Sequence, residues 1–348
     1  DISKFYKMRT KNFWKNKNVL ITGVGGFVGS NLAKDLIKNK AKIIGLTKNK
    51  KIESLLYFDG LDKKIELVFG EITDKELHKS IFLKHDIDVC FHLAAQVEVG
   101  LARKYPYLTW ETNVRGTYTL LEAIREKGKK LRSIVIASSD KAYGNYPTKF
   151  LPYKENYELK ANYPYDTSKA CADMIAKSYS GKLYKLPIVI TRFANIYGPG
   201  QLNFSALIPD VIRCCLLNKN FVMRSDGEAI RDFVHVNDIV DLYKLLSKNL
   251  YLNPKKFSGE VFNAGTNIKH KIKDIVKKIF ILTKKQKNLK KVLRRIKKNK
   301  TKGEISIQFM DFEKLELFLG WKPKYKFENS LPKLISWYGK YFKKISSQ

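Results

Sequence analysis

Tyr165 and Lys169 lie four residues apart, so on a helix they share one face. An ammonium beside a phenol favours the phenolate and draws its pKa from about 10 toward neutrality. Such a tyrosine could exchange a proton with a substrate hydroxyl, and a nearby Ser139 hydroxyl could hold that oxygen meanwhile. Ser138, Ser139, Asp140 and Lys141 follow the apolar run Leu131–Ala137. The carboxyl end of a strand is where open α/β sheets place their ligands. A third group stands at Thr22-Gly-Val-Gly-Gly-Phe-Val-Gly29. Gly23, Gly26 and Gly29 are spaced so that the turn is tight, a backbone can approach a pyrophosphate, and strand and helix pack closely. The helix opening at Phe27 would then offer free N–H groups and its positive dipole end to phosphates. Tyrosine and lysine at this spacing occur on many helices, and a glycine turn alone is common. The combination points to hydride and proton chemistry on a dinucleotide.

These groups need strands and helices to hold them. Val19–Thr22, Ala41–Leu46, Ile65–Phe69, Ile87–Leu93, Leu131–Ala137 and Leu186–Thr191 read as strands. Helical stretches separate them, the longest near Tyr107–Glu126 and Tyr165–Tyr184. Near-continuous Val/Ile strands alternating with helices predict an α/β fold with a doubly wound parallel sheet covered on both faces. Past residue 195 the elements shorten, with helices expected near Ser205–Leu217, Val236–Asn249, Lys271–Leu282, Asp311–Leu319 and from Ser330. The expected division is a dinucleotide-binding domain over 13–195, with strand contributions from later residues, and a smaller α/β lobe over 196–345. The second strand ends Gly45-Leu-Thr47-Lys48, with no acid for the ribose hydroxyls. NAD and NADP both stay open at this point.

The chain has 348 residues and a formal net charge of +34. At about 150 residues per domain it has room for roughly two. Hydrophobic residues make up 44%, enough for a substantial core. No apolar run reaches the roughly 18 residues of a membrane span, and Asp1–Lys17 is basic without the roughly 7–15-residue apolar stretch of a secretory signal, so that segment is not expected to be one. Cys90, Cys171, Cys214 and Cys215 have no framework spacing, which suits reduced thiols and a cytoplasmic enzyme. The excess charge is lysine: 56 Lys against 11 Arg. Nucleic-acid readers favour the arginine fork, so a lysine-biased surface is the reading adopted and a nucleic-acid partner is not expected. Lys284–Lys302, with eleven basic residues in nineteen, reads as a solvated helix and loop.

Taken together, Thr22-Gly23-x-x-Gly26-x-x-Gly29, His92-Leu-Ala-Ala-Gln96, Asn113-Val-x-Gly-Thr117, Ser139 and Tyr165-x-x-x-Lys169 resemble an extended short-chain dehydrogenase/reductase of the NAD-dependent epimerase/dehydratase family. Arg192–Pro199, Arg231–Asp238 and Leu319–Pro323 fit the same pattern, so the likeness spans about residues 13 to 340. The resemblance implies a Rossmann-type domain and a nucleotide-diphosphate sugar as substrate. It implies a tightly held NAD or NADP regenerated at each turnover, and a homodimer formed through the two long helices. Cofactor contacts are implied for Gly23, Gly26, Phe27, Val28, Gly29, Thr47, Lys48, Glu71, Ile72, Leu93, Ala94, Ala95, Tyr165 and Lys169, with Glu71 and Ile72 beside the adenine. Substrate contacts are implied for Gln96, Asn195, Arg224 and Arg231. The arginines suit a diphosphate because a guanidinium fork matches its oxygens. His92 reads as a packed strand residue rather than a catalyst, and no metal is expected.

Within the family, Asp140-Lys141 after Ser139 is similar to the pair in CDP-glucose 4,6-dehydratases, as is Phe13-Trp14 ahead of the first strand. The implied reaction oxidises C4, eliminates water across C5–C6, and returns the hydride to C6. Ser139, Asp140, Lys141, Tyr165 and Lys169 are the catalytic set, with Asp140 assigned as acid to the C6 hydroxyl and Lys141 as base at C5. The two roles can be exchanged, because Lys141 would have to be largely neutral to act as a base. A GDP-sugar is a second substrate reading, a C4 epimerase a second enzymatic one, and an NAD(P)-binding sensor the non-enzymatic one.

Overall fold

The computed structural model describes residues 13–295 and 305–347. Its main sheet has seven strands in the order β10-β6-β5-β4-β1-β2-β3. They are β1 (Asn18–Thr22), β2 (Lys42–Thr47), β3 (Glu66–Phe69), β4 (Val89–His92), β5 (Ser133–Ala137), β6 (Ile188–Phe193) and β10 (Val261–Ala264). The pairs from β3 through β6 are all parallel. Each strand read from the sequence is present, with ends shifted by a residue or two. Consecutive residues of β4, β5 and β6 are buried on both faces, which is why these strands read as unbroken apolar runs.

The chain runs outward from β1 to β3 and returns to β4 on the other side of β1. This reversal leaves a crevice at the carboxyl ends of β1 and β4, the place where such sheets bind ligands. Helices α1 (Phe27–Lys38), α2 (Lys75–Lys84), α3 (Gly116–Lys127) and α4 (Pro164–Ser180) cover the sheet. One face of it is closed by Leu20, Ile44, Cys90, Leu120, Ile124, Ile134, Ile188 and their neighbours in a single apolar cluster. Asp74 caps α2 by accepting from the Leu77 amide at 2.9 Å.

The stretch expected as one helix over Tyr107–Glu126 is three pieces: Pro106–Thr109, a π turn over Trp110–Arg115, and α3. The second long helix ends at Ser180, short of Tyr184. Lys185 just beyond takes a positive φ of 55°.

The chain divides into two compact units. The first comprises the segment ending at Ala142, Pro164–Thr191 and Val240–Phe262. The second comprises Tyr143–Tyr163, Arg192–Ile239 and the segment from Asn263. It holds β7 (Asn195–Tyr197) paired in parallel with β9 (Phe233–His235), and a small sheet in which β8 (Ile230–Arg231) lies between β11 (His270–Lys271) and β12 (Ile307–Gln308). Helices α5 (Leu207–Leu216), α7 (Ile272–Leu282) and α8 (Phe327–Ser346) enclose its core, which includes Val211, Ile212, Val276, Ile279, Leu331 and Tyr338. The long helix α6 (Val236–Leu252) passes from the second unit into the first. Of the basic stretch, Gln286–Arg294 is helical with Val292 buried and its lysines exposed; residues 296–302 lie outside the described residues.

Candidate active site

Gly23 ends β1 with φ 72°, a conformation that favours glycine, and donates to the Leu46 carbonyl at 2.8 Å. A Cβ on Gly23 would lie 2.9 Å from the Ala94 backbone, and one on Gly29 only 2.3 Å from the Gly23 carbonyl oxygen. The turn is therefore closed against both the Leu93–Ala95 segment and the first turn of α1. Gly26 is the N-cap of α1 and provides no capping side chain. The amides of Phe27, Val28 and Gly29 belong to the first turn, which has no intrahelical acceptors to offer them. A cradle of bare backbone at a helix N-terminus fits the pyrophosphate of a dinucleotide.

The Thr22 hydroxyl ties this turn to the next strand by accepting from the amides of Leu93 (3.1 Å) and Ala94 (3.2 Å). It also bonds His92 Nδ1 at 2.9 Å, and His92 Nε2 bonds the Thr117 hydroxyl at 3.0 Å. Burial, reinforced by the Lys169 ammonium, holds the imidazole pKa down at about 3, so His92 is a neutral linker between strand and helix. The expected packing role is what the structure shows.

At the end of β2, Thr47 Oγ1 would lie 2.9 Å from a Cβ on Gly25. Lys48 Nζ pairs with Glu71 Oε1 at 2.8 Å, both half-exposed. Ile72 is buried, packed where a Cβ on Gly116 would lie 2.6 Å from its Cγ2, and its carbonyl bonds His78 Nε2 at 2.8 Å. Thr47, Lys48 and Glu71 thus gather beside the glycine turn, with Ile72 forming the floor of the neighbouring loop.

The five residues singled out for catalysis all fall in the first unit. Ser139 ends the loop after β5, and its hydroxyl bonds both Asp140 Oδ1 at 3.0 Å and the phenol of Tyr165. The Lys141 amide donates to the same hydroxyl at 3.2 Å, closing a short 3-10 turn over Asp140–Tyr143. Tyr165 and Lys169 sit on the first two turns of α4 and are both buried. Lys169 Nζ donates to the Ala137 carbonyl at 2.8 Å, and Ser138 Oγ reaches the Lys169 carbonyl at 3.5 Å, so helix and strand end are fastened together.

One electrostatic expectation is corrected. Tyr165 is pushed up from the ordinary phenol value, not down. Burial is the main cause, the Ser139 bond opposes it, and the Asp140 and Asp166 carboxylates add to it. Lys169 is not among the groups that act on it; its amine faces the β5 carbonyl, and burial lowers its own pKa to about 8 against the pull of Asp173.

Of the residues expected to contact substrate, Gln96 spends its side-chain amide on the Glu98 carbonyl (3.1 Å) and Thr109 Oγ1 (3.2 Å). Asn195 and Arg231 come together in the second unit: Asn195 Nδ2 reaches the Asp232 carbonyl at 3.2 Å, and Arg231 is the residue before Asp232. Arg231 is buried and donates to the Ile230 carbonyl at 2.8 Å. Arg224 is exposed and donates to the Ser205 carbonyl at 3.2 Å.

Two site residues went unassigned in the sequence. Asn113, on the π turn, accepts from the Gln96 amide at 2.7 Å and donates to the Gln96 carbonyl and to Ser168 Oγ. Ser168 Oγ in turn donates to the Tyr165 carbonyl at 2.7 Å. The π turn therefore aims one amide at both the Gln96 loop and helix α4, and such turns are frequent at functional sites. The Asn113–Thr117 motif was the signal available. The other is Asp166, next to Tyr165, which no spacing rule singles out.

Comparison with known proteins identifies the family. A family model described as GDP-mannose 4,6 dehydratase matches residues 20–334. The chain is 28% identical over 341 residues to CDP-glucose 4,6-dehydratase of Salmonella typhimurium, covering 95% of this chain and 93% of that one. It superposes on dTDP-glucose 4,6-dehydratase from Bacillus anthracis in complex with NAD, with a TM-score of 0.79, 30% identity, and coverage of 93% and 97%. It also superposes on UDP-glucose 4-epimerase of Thermotoga maritima with UDP-glucose, with a TM-score of 0.81, 26% identity, and coverage of 93% and 99%. A cradle for a dinucleotide, a Ser–Tyr–Lys set beside it and a match across nearly the whole chain meet in one conclusion: the protein belongs to the GDP-mannose 4,6 dehydratase family.

Proposed function

We infer that this chain is an NAD-dependent nucleotide-sugar 4,6-dehydratase, a lyase that makes a 4-keto-6-deoxy sugar. The observation that carries this reading is the turn after β5. Ser139 bonds the Tyr165 phenol, and the same turn presents Asp140 and Lys141 side by side. An epimerase needs only the first half of that arrangement. Elimination of water needs an acid and a base beside it.

Bound NAD would take up and return one hydride, leaving no net oxidation. We assign its pyrophosphate to Gly23, Gly26, Phe27, Val28 and Gly29, its nicotinamide side to Leu93, Ala94, Ala95, Tyr165 and Lys169, and its adenosine to Thr47, Lys48, Glu71 and Ile72. NAD bound in the B. anthracis relative supports this cofactor. Tyr165, with Ser139 holding the same oxygen, takes the proton of the C4 hydroxyl. Burial disfavours the phenolate, so Tyr165 gives it up only when a bound cation or a displaced Lys169 amine offsets that cost. Asp140 and Lys141 divide the acid and base work at C6 and C5. Gln96, Asn195, Arg224 and Arg231 are assigned to the nucleotide sugar, the arginines to its diphosphate.

CDP-glucose is the substrate proposed, from Asp140-Lys141 and the Salmonella relative. We further propose a homodimer through the two long helical stretches, residues 106–127 and α4, supported by exposed Tyr107, Leu108 and Tyr118 on the first and Met174 on the second. The proposed location is the cytoplasm; no helix among the described residues is long and apolar enough to cross a membrane. Incubation with CDP-, dTDP-, UDP- and GDP-hexoses, read by mass spectrometry, tests the activity. Loss of one water from one of them is expected, and Tyr165→Phe should abolish it while NAD still binds. Inversion at C4 with the C6 oxygen retained would overturn the dehydratase reading.

A further inference from the structure

The basic helix of the second unit has no part in the reaction outlined above. From Ile275 through Arg295 the chain holds nine Lys or Arg and not one Asp or Glu. Over the whole chain 33 acids accompany 67 bases, so a lysine-rich composition does not by itself clear a segment of its acids. Lys287, Lys290, Lys291 and Arg294 fall at i, i+3, i+4 and i+7 of the helix Gln286–Arg294, which puts them on one face, and all four are exposed. Leu289 and Val292 lie on the opposite face and pack into the core of the second unit, which holds the cations outward.

Lys284, Lys285 and Arg295 flank this helix. Among the described residues none of the seven cations has a carboxylate partner, whereas Lys277 and Lys278, earlier on α7, pair with Asp274 and Glu328. Apolar side chains stand beside them. Helix α7 ends in Ile281 and Leu282, which are 53% and 42% exposed. Leu217, at the end of α5, is also exposed, and the next residue, Asn218, accepts a hydrogen bond from Lys285 Nζ. That bond ties the end of α5 to the start of the basic helix.

We propose that this face docks the protein on a membrane rich in anionic lipid, with the exposed cations on the headgroups and Leu217, Ile281 and Leu282 entering the boundary layer. The match is one of charge: an acid-free cationic face meets a surface of fixed negative charge, and neighbouring apolar side chains suit the edge of the acyl region. A nucleic acid fits less well. Residues 281–295 include no aromatic side chain on which bases could stack, and five of the seven cations are lysines, which meet phosphate as point charges. The contact is peripheral, since no helix among the described residues is long and apolar enough to cross a membrane.

The test is cosedimentation of the full chain with vesicles of phosphatidylcholine alone, or with about 30% phosphatidylglycerol, at about 0.1 M salt. Wild type should sediment with the anionic vesicles only, and raised salt should weaken the binding. Each cation near such a surface is worth about fivefold in partition, or about 1 kcal/mol. Replacing Lys287, Lys290, Lys291 and Arg294 together by Gln should therefore lower it by at least about 100-fold. Replacing Lys40, Lys63, Lys64 and Lys129 by Gln removes the same charge from exposed positions of the first unit and should change it by less than about threefold. Ile281→Ser with Leu282→Ser keeps every charge and should lower it about tenfold. Equal losses in the two four-residue variants overturn the proposal, as does a serine variant that binds like wild type or a wild type that ignores anionic vesicles. A single-stranded RNA bound by wild type but not by the basic-helix variant, while vesicles go unbound, assigns the face to nucleic acid and overturns it too. Should the four-residue variant not fold, Lys287→Gln with Lys291→Gln, against Lys63→Gln with Lys64→Gln, decides by the same comparison at about 25-fold. No readout uses catalysis, so failure of the dehydratase reading leaves this test unchanged.

Discussion

Replacing Lys169 by methionine should abolish turnover and yet stabilise the cofactor-free protein at neutral pH. Lys169 is buried and its pKa is lowered from 10.5 to about 8, chiefly by burial, with the opposing pull of Asp173 already included. The sign follows from which state holds the proton. Below pH 8 the amine is charged both folded and unfolded, and the folded chain bears the whole cost of burying it. Between pH 8 and 10.5 the folded chain has lost the proton and the unfolded chain has not, so the cost fades; above 10.5 it is gone. A difference of about 2.5 pKa units corresponds to about 3 kcal/mol. Methionine fills a similar volume but forfeits the bond to the Ala137 carbonyl, worth about 1 kcal/mol. The variant should therefore be more stable by about 2 kcal/mol at pH 7 and slightly less stable near pH 10.5. Urea unfolding of both proteins at pH 7, 9 and 10.5 measures this. A stability difference that does not change with pH refutes burial of the ammonium as the cause.

Gly29→Ala places a Cβ 2.3 Å from the Gly23 carbonyl oxygen; it should cost at least about 2 kcal/mol and weaken NAD binding, read by thermal unfolding with and without NAD. Glu122 is held down at about 2, first by its bond to Arg125, and also accepts from Tyr179. Its folded pKa is depressed, so its contribution is present above about 4.5 and lost as the pH falls toward 2. Partial exposure limits it, so Glu122→Gln should cost about 1 kcal/mol at pH 7 and nothing near pH 2, read by urea unfolding at each pH. Tyr165→Phe, read by product formation and NAD titration, and the vesicle partition of the basic-helix variants complete the set.

The sheet was legible because its central strands are buried on both faces, so β4, β5 and β6 announce themselves as unbroken Val/Ile runs. The glycine turn was legible because backbone approach at Gly23 and Gly29 permits only one residue type. The π turn at Trp110–Arg115 was not: one extra residue per turn leaves the apolar spacing of the flanking helices almost unchanged, so the segment reads as continuous. Helix α8 begins at Phe327, not Ser330, because its first apolar side chain is buried against Tyr197 and Phe233, contacts remote in sequence. The Tyr165–Lys169 spacing put both residues on one face of a helix, and both lie on α4, but spacing says nothing about which carbonyl an amine faces. Asp166 escaped notice for a related reason: the charges that act on it come from residues 103, 140 and 141, and only folding brings them to it.

The alternation of the two units along the chain governs how this protein can be made and altered. The first unit is not finished until Phe262 has been synthesised, and by then two segments of the second have already been laid down. The first unit is thus complete while the last segment of the second is still to come, so the second can mature only after it. Cutting the gene at any single codon would leave both products without part of a core. Exchange of substrate preference between relatives is therefore better made by point changes and loop replacements within an intact frame, because a chimera joined at one position mixes segments of both parents within at least one unit.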